Sequence, residues 1–235
     1  MLSVVCWKWA PAPGYRSTFE AVHVNTLRRM VARHYPSPHR FLCVTDDSRG
    51  LDAGIEVVPL WDDHASVPSP HGGHNPSCYR RLRAFSPEIE AVFGPRFVSV
   101  DLDTVIVADV RPLWDRPEDF VIWGETDKRS WYNGSMWMMT AGARKQVWEK
   151  FHPNTSPMTA KLAGKFGSDQ GWISYCLGPG EATWTRADGV YSYRVHVAPK
   201  GHALPTNARM VMFHGKVDPW SYNMDRIPWV KAHYR

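Results

Sequence analysis

The chain has 235 residues, of which 43% are hydrophobic and 22% charged, and carries a formal net charge of +5. That length suits one sizeable α/β domain with a buried core, and that composition excludes a disordered or fibrous chain. No apolar run is long enough to span a bilayer, no basic segment precedes the first apolar run, and no block of like charge marks a nucleic-acid arm; we expect neither a membrane span, a signal peptide nor a basic tail.

Residues 2–7 form a short apolar run that reads as the central first strand of a nucleotide-binding sheet. The loop after it, 8–16, opens at Lys8 and carries Pro11, Pro13 and Gly14; Ser17 with Glu20 then makes a capping box that starts a helix. Phe19, Val22, Leu27, Met30 and Val31 recur at helical spacing, so one face of this helix packs on the sheet, and Pro36 ends it. Residues 41–45 and 55–60 are the next strands, separated by the turn-rich 46–50. Strand, helix, strand predicts a parallel pair with a crossover. Residues 61–76, rich in Pro, Gly and His, read as a long surface loop whose functional reading is a lid. Its His71 and His74 lack a third ligand at useful spacing, which argues against zinc. Ser77 is placed to cap a helix bearing Tyr79, Arg80, Arg81 and Leu82, interrupted near Pro87. One of the two arginines on a phosphate is the functional reading, and two solvated charges the bland one.

The stretch around which the rest is organised is 97–107, FVSVDLDTVIV. Its apolar run reads as a strand buried on both faces, and it delivers Asp101 and Asp103 to the C-terminal end, where open α/β sheets bind ligands. Two acids so close repel when ionised, and a divalent metal removes that conflict; all-oxygen ligation suits Mg²⁺ or Mn²⁺ with substrate phosphates completing the shell. The alternative is that both acids merely cap a turn.

Further on, Asp109, Arg111 and Pro112 make a turn and 120–123 another strand. Tyr132-Asn133-Gly134-Ser135 reads as a tight polar turn feeding the apolar 136–139. Residues 144–151 read as a helix, and Gly167-Ser168-Asp169-Gln170 opens another, with Asp169 suited to the helix dipole. Residues 210–213 form a strand leading to His214-Gly215-Lys216 and Pro219-Trp220, a potential metal ligand, backbone amide and cation for one diphosphate. The cysteines Cys6, Cys43, Cys78 and Cys176 form no CxxC pair and read as reduced thiols of a cytoplasmic protein. The 12 Trp are many enough to favour a carbohydrate or nucleotide ligand, because indole faces stack on sugars and bases as well as filling cores.

The acidic strand, the Asn-containing turn, the Asp-Gln helix start and the terminal His-Gly-Lys with Pro-Trp stand in the order seen in GT-A glycosyltransferases. The chain resembles those of family 8 and its bacterial relatives from residue 2 to about residue 220. The resemblance implies a single GT-A-type α/β domain with a mixed, mostly parallel central sheet flanked by helices. Residues 1–107 would form the nucleotide-binding half ending in the Asp-x-Asp motif, and 108–235 the sugar and acceptor half. It further implies a metal-dependent transfer, with retention, from a nucleotide diphosphate sugar, commonly a uridine diphosphate sugar. Manganese (or magnesium) would be held by Asp101 and Asp103, with His214 on the metal. Lys8 and Tyr15 would lie near the nucleobase, Arg81 near the phosphates, Asn133 and Ser135 along the donor sugar, Asp169 and Gln170 at the reacting sugar, and Gly215 and Lys216 on the diphosphate. Two departures stand out. The family places His three residues before its Gly and Lys three after, whereas His214 here adjoins Gly215 and Asp218 occupies the Lys position. The turn reads Asn-Gly-Ser in place of Asn-Ala-Gly or Asn-Ser-Gly.

The acceptor stays open among a glycan, a lipid, a protein and hydroxymethylated bases in DNA. Two other classes compete with a transferase. Asp101-Leu-Asp-Thr-Val also fits the nucleophile motif of haloacid-dehalogenase-like phosphatases, but those acids belong near the chain start and a later Gly-Asp-x-x-x-Asp motif is absent here. A non-catalytic sugar or nucleic-acid binding module would use the tryptophans as platforms but leave the ordered polar motifs without a purpose.

Overall fold

The first strand, β1 (Leu2–Lys8), is buried at every position. Its alternate side chains enter two separate cores, Val4 and Cys6 on one face, Val5 and Trp7 on the other, which is why the run shows no polar alternation. The computed structural model describes residues 1–11, 18–72, 77–124 and 130–235. After α1 (Ala21–His34) come β2 (His39–Thr45), β3 (Glu56–Pro59), a 3-10 helix (Tyr79–Phe85), α2 (Ile89–Phe93) and β4 (Arg96–Val100). Next are β5 (Thr104–Ile106), α3 (Arg111–Trp114), β6 (Phe120–Trp123), β7 (Asn133–Thr140), α4 (Gln146–Glu149), α5 (Ser156–Leu162) and α6 (Asp169–Leu177). The chain closes with β8 (Ala182–Trp184), β9 (Val190–Ser192), a π-helix (Tyr193–Val197), β10 (Met210–Met212) and α7 (Pro228–His233).

Among the described residues, seven strands form the central sheet in the order β3-β2-β1-β4-β7-β6-β8. Pairing is parallel except where β7 runs antiparallel to both β4 and β6, so the sheet is mixed and mostly parallel, as expected. A second sheet, β5-β10-β9, branches off below the acidic motif. One core fills the space between the central sheet, α1 and the small sheet, and the other lies on the opposite face, where Phe97 and Trp137 meet Phe85 and Phe93. No helix among the described residues is long and apolar enough to cross a membrane.

Several local readings are corrected. The run 97–107 is two strands in two sheets, broken at Asp101–Asp103. Helix α1 is capped at Glu20, whose N–H donates to His23 Nδ1 at 2.9 Å, so the reciprocal pair is Glu20 with His23; Ser17 lies outside the described residues. Cys78, not Ser77, precedes the 3-10 helix. The Asn133-Gly134-Ser135 segment is the start of β7, reached through a register shift beside Trp123, because its backbone continues the ladder to β6. The helix over 144–151 shrinks to α4. His74 lies outside the described residues, and His71 packs its ring on Phe166, centroids 4.4 Å apart.

Phe97 is fully buried against Phe93 and Trp137. We expect Phe97→Ala to lower unfolding free energy by about 3–5 kcal/mol, the range for an aromatic cavity in a packed core. Urea unfolding checks this, and a loss near zero would contradict the packing described.

Candidate active site

Burial and charge single out one cluster. Arg81 on the 3-10 helix is 5% exposed, and its guanidinium lies between two carboxylates from distant elements. Nη1 reaches Asp101 Oδ1 at 2.5 Å, while Nε and Nη2 reach Asp169 Oδ2 at 2.7 and 2.5 Å. Asp169, 4% exposed, begins α6, whose preceding Ser168 accepts the Cys78 N–H through Oγ at 2.9 Å. Burial works to lower the Arg81 pKa, but Asp169 and Asp101 outweigh it and hold the guanidinium charged far above its ordinary range. Burial raises the Asp169 carboxyl above the usual carboxylate range, against the pull of Arg81. Burial also pushes the neighbouring Cys78 thiol up to about 12, with Asp169 adding to the rise, so this cysteine stays protonated and is no nucleophile.

The start of β7 packs onto this cluster. Ser135 O accepts the Asp101 N–H at 2.9 Å, and Asn133 Oδ1 accepts the Ser135 N–H at 2.9 Å. Between them, the Gly134 N–H donates to Gln170 Oε1 at 3.3 Å. A Cβ at Gly134 would stand 2.8 Å from Arg81 Nη2 and 3.3 Å from Asp169 Oδ2, which gives the Asn-Gly-Ser departure a physical reason: the ion pair occupies the space a side chain would need.

Strand pairing brings in the chain's C-terminal motif. The antiparallel match of β5 with β10 extends one step further, where the Phe213 N–H donates to Asp103 O at 2.8 Å, and so His214 follows directly beside the acidic motif. His214 sits edge-on to Trp123 with centroids 5.4 Å apart, and its Nε2 is 2.7 Å from Ser192 Oγ, which itself accepts the Val195 N–H. Gly215 has φ +115°, left-handed backbone suited to glycine, and the Arg194 side chain lies within 3.6 Å of where its Cβ would be. Lys216 is exposed. Asp218, in place of the expected Lys, is buried within electrostatic reach of His23 and Tyr234, while Trp220 stacks on His23 at 3.9 Å.

The structure thus gathers Arg81, Asp101, Asn133, Ser135, Asp169 and Gln170 into one hydrogen-bonded cluster, and brings the segment that leads into His214 alongside Asp103, with Gly215 and Lys216 following His214 in the chain. Lys8 stands apart: its ammonium donates to Asp47 O at 2.6 Å and Thr45 Oγ1 at 3.3 Å, tying β1 to the loop after β2. It lines a cavity of about 420 Å³ with Trp9, Phe19, Asp46 and Arg49. Tyr15 lies outside the described residues. Ser192, Trp123 and Arg194 carry no sequence signal of their own and join the site only through folding.

Two carboxylates and an imidazole are donors of the kind that suit manganese. Their backbones adjoin, but Asp101 faces Arg81 and His214 faces Ser192; among the described residues no three His, Cys, Asp or Glu side chains converge to hold a metal.

A mostly parallel sheet ending in an Asp-x-Asp turn, with a smaller sheet branching there, defines a GT-A-type fold. Solved structures similar to it are glycosyltransferases. The galactosyltransferase LgtC, solved with donor and acceptor sugar analogues, superposes with a TM-score of 0.63 at 13% identity, covering 98% of this chain and 96% of its own. An active-site mutant of LgtC gives 0.59 at 12% identity over 98% and 95%. GlyE of Streptococcus pneumoniae TIGR4 gives 0.59 at 11% identity, covering 94% of this chain, which spans 57% of GlyE. At such identities the likeness establishes the fold. No protein-family model matches the sequence, and no curated protein matches it either.

Arg81→Met leaves the buried Asp169 carboxylate without its partner and facing the half-buried Asp101. We expect a loss of about 3–5 kcal/mol at pH 7, as for one partner removed from a buried ion pair. Without Arg81 the Asp169 carboxyl rises further; a carboxyl raised in the folded state gives its full stability below the unfolded pKa and loses it as pH climbs through the folded one. The deficit relative to wild type should therefore shrink as pH falls from 7 to 5. Equal deficits at both values in urea unfolding would reduce the effect to packing.

Proposed function

We propose that this chain is a metal-dependent glycosyltransferase moving a sugar from a nucleotide diphosphate sugar, a uridine diphosphate sugar, to a hydroxyl acceptor with retention of configuration. The observation that chiefly supports this reading is the meeting of Asp101, Asn133, Ser135, Asp169 and Gln170 around Arg81, at the sheet end where GT-A folds bind their donors. The GT-A-type fold supports it as well, whereas a phosphatase nucleophile would be expected after the first strand and these acids follow the fourth.

On this reading, rupture of the anomeric carbon–oxygen bond leaves negative charge on the diphosphate. Exposed Lys216 meets that charge, and the Gly215 amide contributes a donor. Asp101, Asp103 and His214, once the first turns from Arg81 and the last from Ser192, would hold a divalent cation such as Mn²⁺ or Mg²⁺, which would supply Lewis-acid stabilisation of the same leaving group. Arg81 acts as a positioning residue, since both its carboxylate partners hold it away from solvent. Asn133 and Ser135 line the donor sugar, and Gln170 flanks the anomeric centre. Asp169 is locked by Arg81 and is assigned no proton transfer; in same-face transfer the departing phosphate takes the acceptor's proton.

Calorimetric titration with uridine diphosphate and its sugars, with and without Mn²⁺, tests the proposal. Wild-type binding should require the metal, and Asp103→Ala should lose metal-dependent binding and lower donor turnover by at least about 100-fold, the scale for removing one group that stabilises transition-state charge. Circular dichroism should be unchanged in the variant. Nucleotide binding that ignores both metal and Asp103 would remove the assignment.

A further inference from the structure

The tryptophans offer a second clue. Of the 12, Trp131 alone is exposed, at 41% among the described residues; the others are buried or half-buried, most of them within the two cores. An indole left facing water forgoes the burial that makes tryptophan favourable, so its placement bears on function. Trp131 follows Ser130, whose Oγ donates to Phe166 O at 3.0 Å and accepts the Phe166 N–H at 2.9 Å. The same Phe166 carbonyl accepts from Gln170 Nε2 at 3.3 Å, and Gln170 in turn holds Gly134. Lys165, next to Phe166, sets its ammonium 3.2 Å from the Trp131 ring centroid, and no carboxylate among the described residues pairs with it. One hydrogen-bonded clip therefore fixes an exposed indole and a cation beside the glutamine assigned to the anomeric centre.

We infer that Trp131 and Lys165 form the acceptor subsite, and that the acceptor is a carbohydrate bearing a carboxylate or phosphate group. This inference rests on the transferase reading above. The sugar's apolar face lies on exposed indole, and its anionic group meets the Lys165 ammonium, which the indole holds in place from one side by a cation–π contact. The pairing discriminates: a neutral sugar of the same shape keeps the stacking and forgoes the charge-assisted hydrogen bond.

The test is titration of the full chain, first with uridine diphosphate and Mn²⁺, then, in the nucleotide-loaded state, with methyl glucuronide, methyl galacturonide and glucose 6-phosphate, each against its neutral counterpart. Anionic sugars should bind about tenfold more tightly than neutral ones, as expected of a hydrogen bond to a charged group. Lys165→Glu should abolish or reverse that preference, Trp131→Ala should weaken both kinds of sugar, and Trp131→Phe should restore most of the affinity, all with nucleotide affinity unchanged. The carboxylate and phosphate arms show which anion is read. Failure of nucleotide binding in the wild type would overturn the transferase reading and this inference with it. With nucleotide bound, three results would overturn this inference alone: no binding by any anionic sugar, equal binding of the neutral counterparts, or a Lys165→Glu variant that keeps the preference.

Discussion

Arg81 and its two carboxylates fix how the halves of the molecule meet. Asp101 arrives at the end of β4, Asp169 at the start of α6, and Arg81 from a 3-10 helix that precedes both in sequence. A guanidinium removed from water is costly unless its donors are satisfied, and here both edges are taken by carboxylates. Its planar fork tolerates few relative placements of β4 and α6, so the ion pair sets geometry more than it adds net stability. The close approach of Gly134 follows from the same constraint.

The tear in the sheet is the second organising feature. Had residues 97–107 continued as one strand, the acidic motif would have been mid-strand, with both acids on one face of a continuous ladder and no turn to present them. By leaving the central sheet at Asp101 and entering the small one at Thr104, the chain makes a turn at the boundary and offers β5 as a partner for β10. That pairing carries His214 from the far end of the sequence to the side of Asp103. Ser192, at the end of β9, is delivered by the parallel match of β9 with β10 and meets the His214 ring.

The aromatic residues divide along a related line. Phe93, Phe97 and Trp137 pack edge-on in one of the two cores, and Phe85, the last residue of the 3-10 helix, stacks on Trp137, so this core seats the helix that carries Arg81. Trp220 stacks on His23, whose pKa is lowered chiefly by burial, and docks the C-terminal segment on α1. Both arrangements are packing in the ordinary sense; the abundance of tryptophan in the composition is mostly core.

The strand–helix–strand opening, β6 residue for residue, and the acidic pair at a strand end were legible in the sequence, because buried strands write themselves as apolar runs and closely spaced acids stand out beside them; the GT-A-type fold and the other members of the polar cluster came from the ordered motifs' resemblance to glycosyltransferases. The sequence could not determine partners. That Arg81 would face Asp101 and Asp169, that Asn133 would begin a strand and not a turn, and that His214 would meet Ser192 all depend on contacts between positions far apart in the chain. The displacement of the helix cap from Ser17 to Glu20 has a similar cause, since several residues near a helix start offer a side-chain acceptor and tertiary packing chooses among them. These points were settled by folding, because hydrogen bonds and ion pairs are made by proximity in space, and local pattern encodes which face is buried but not what it is buried against.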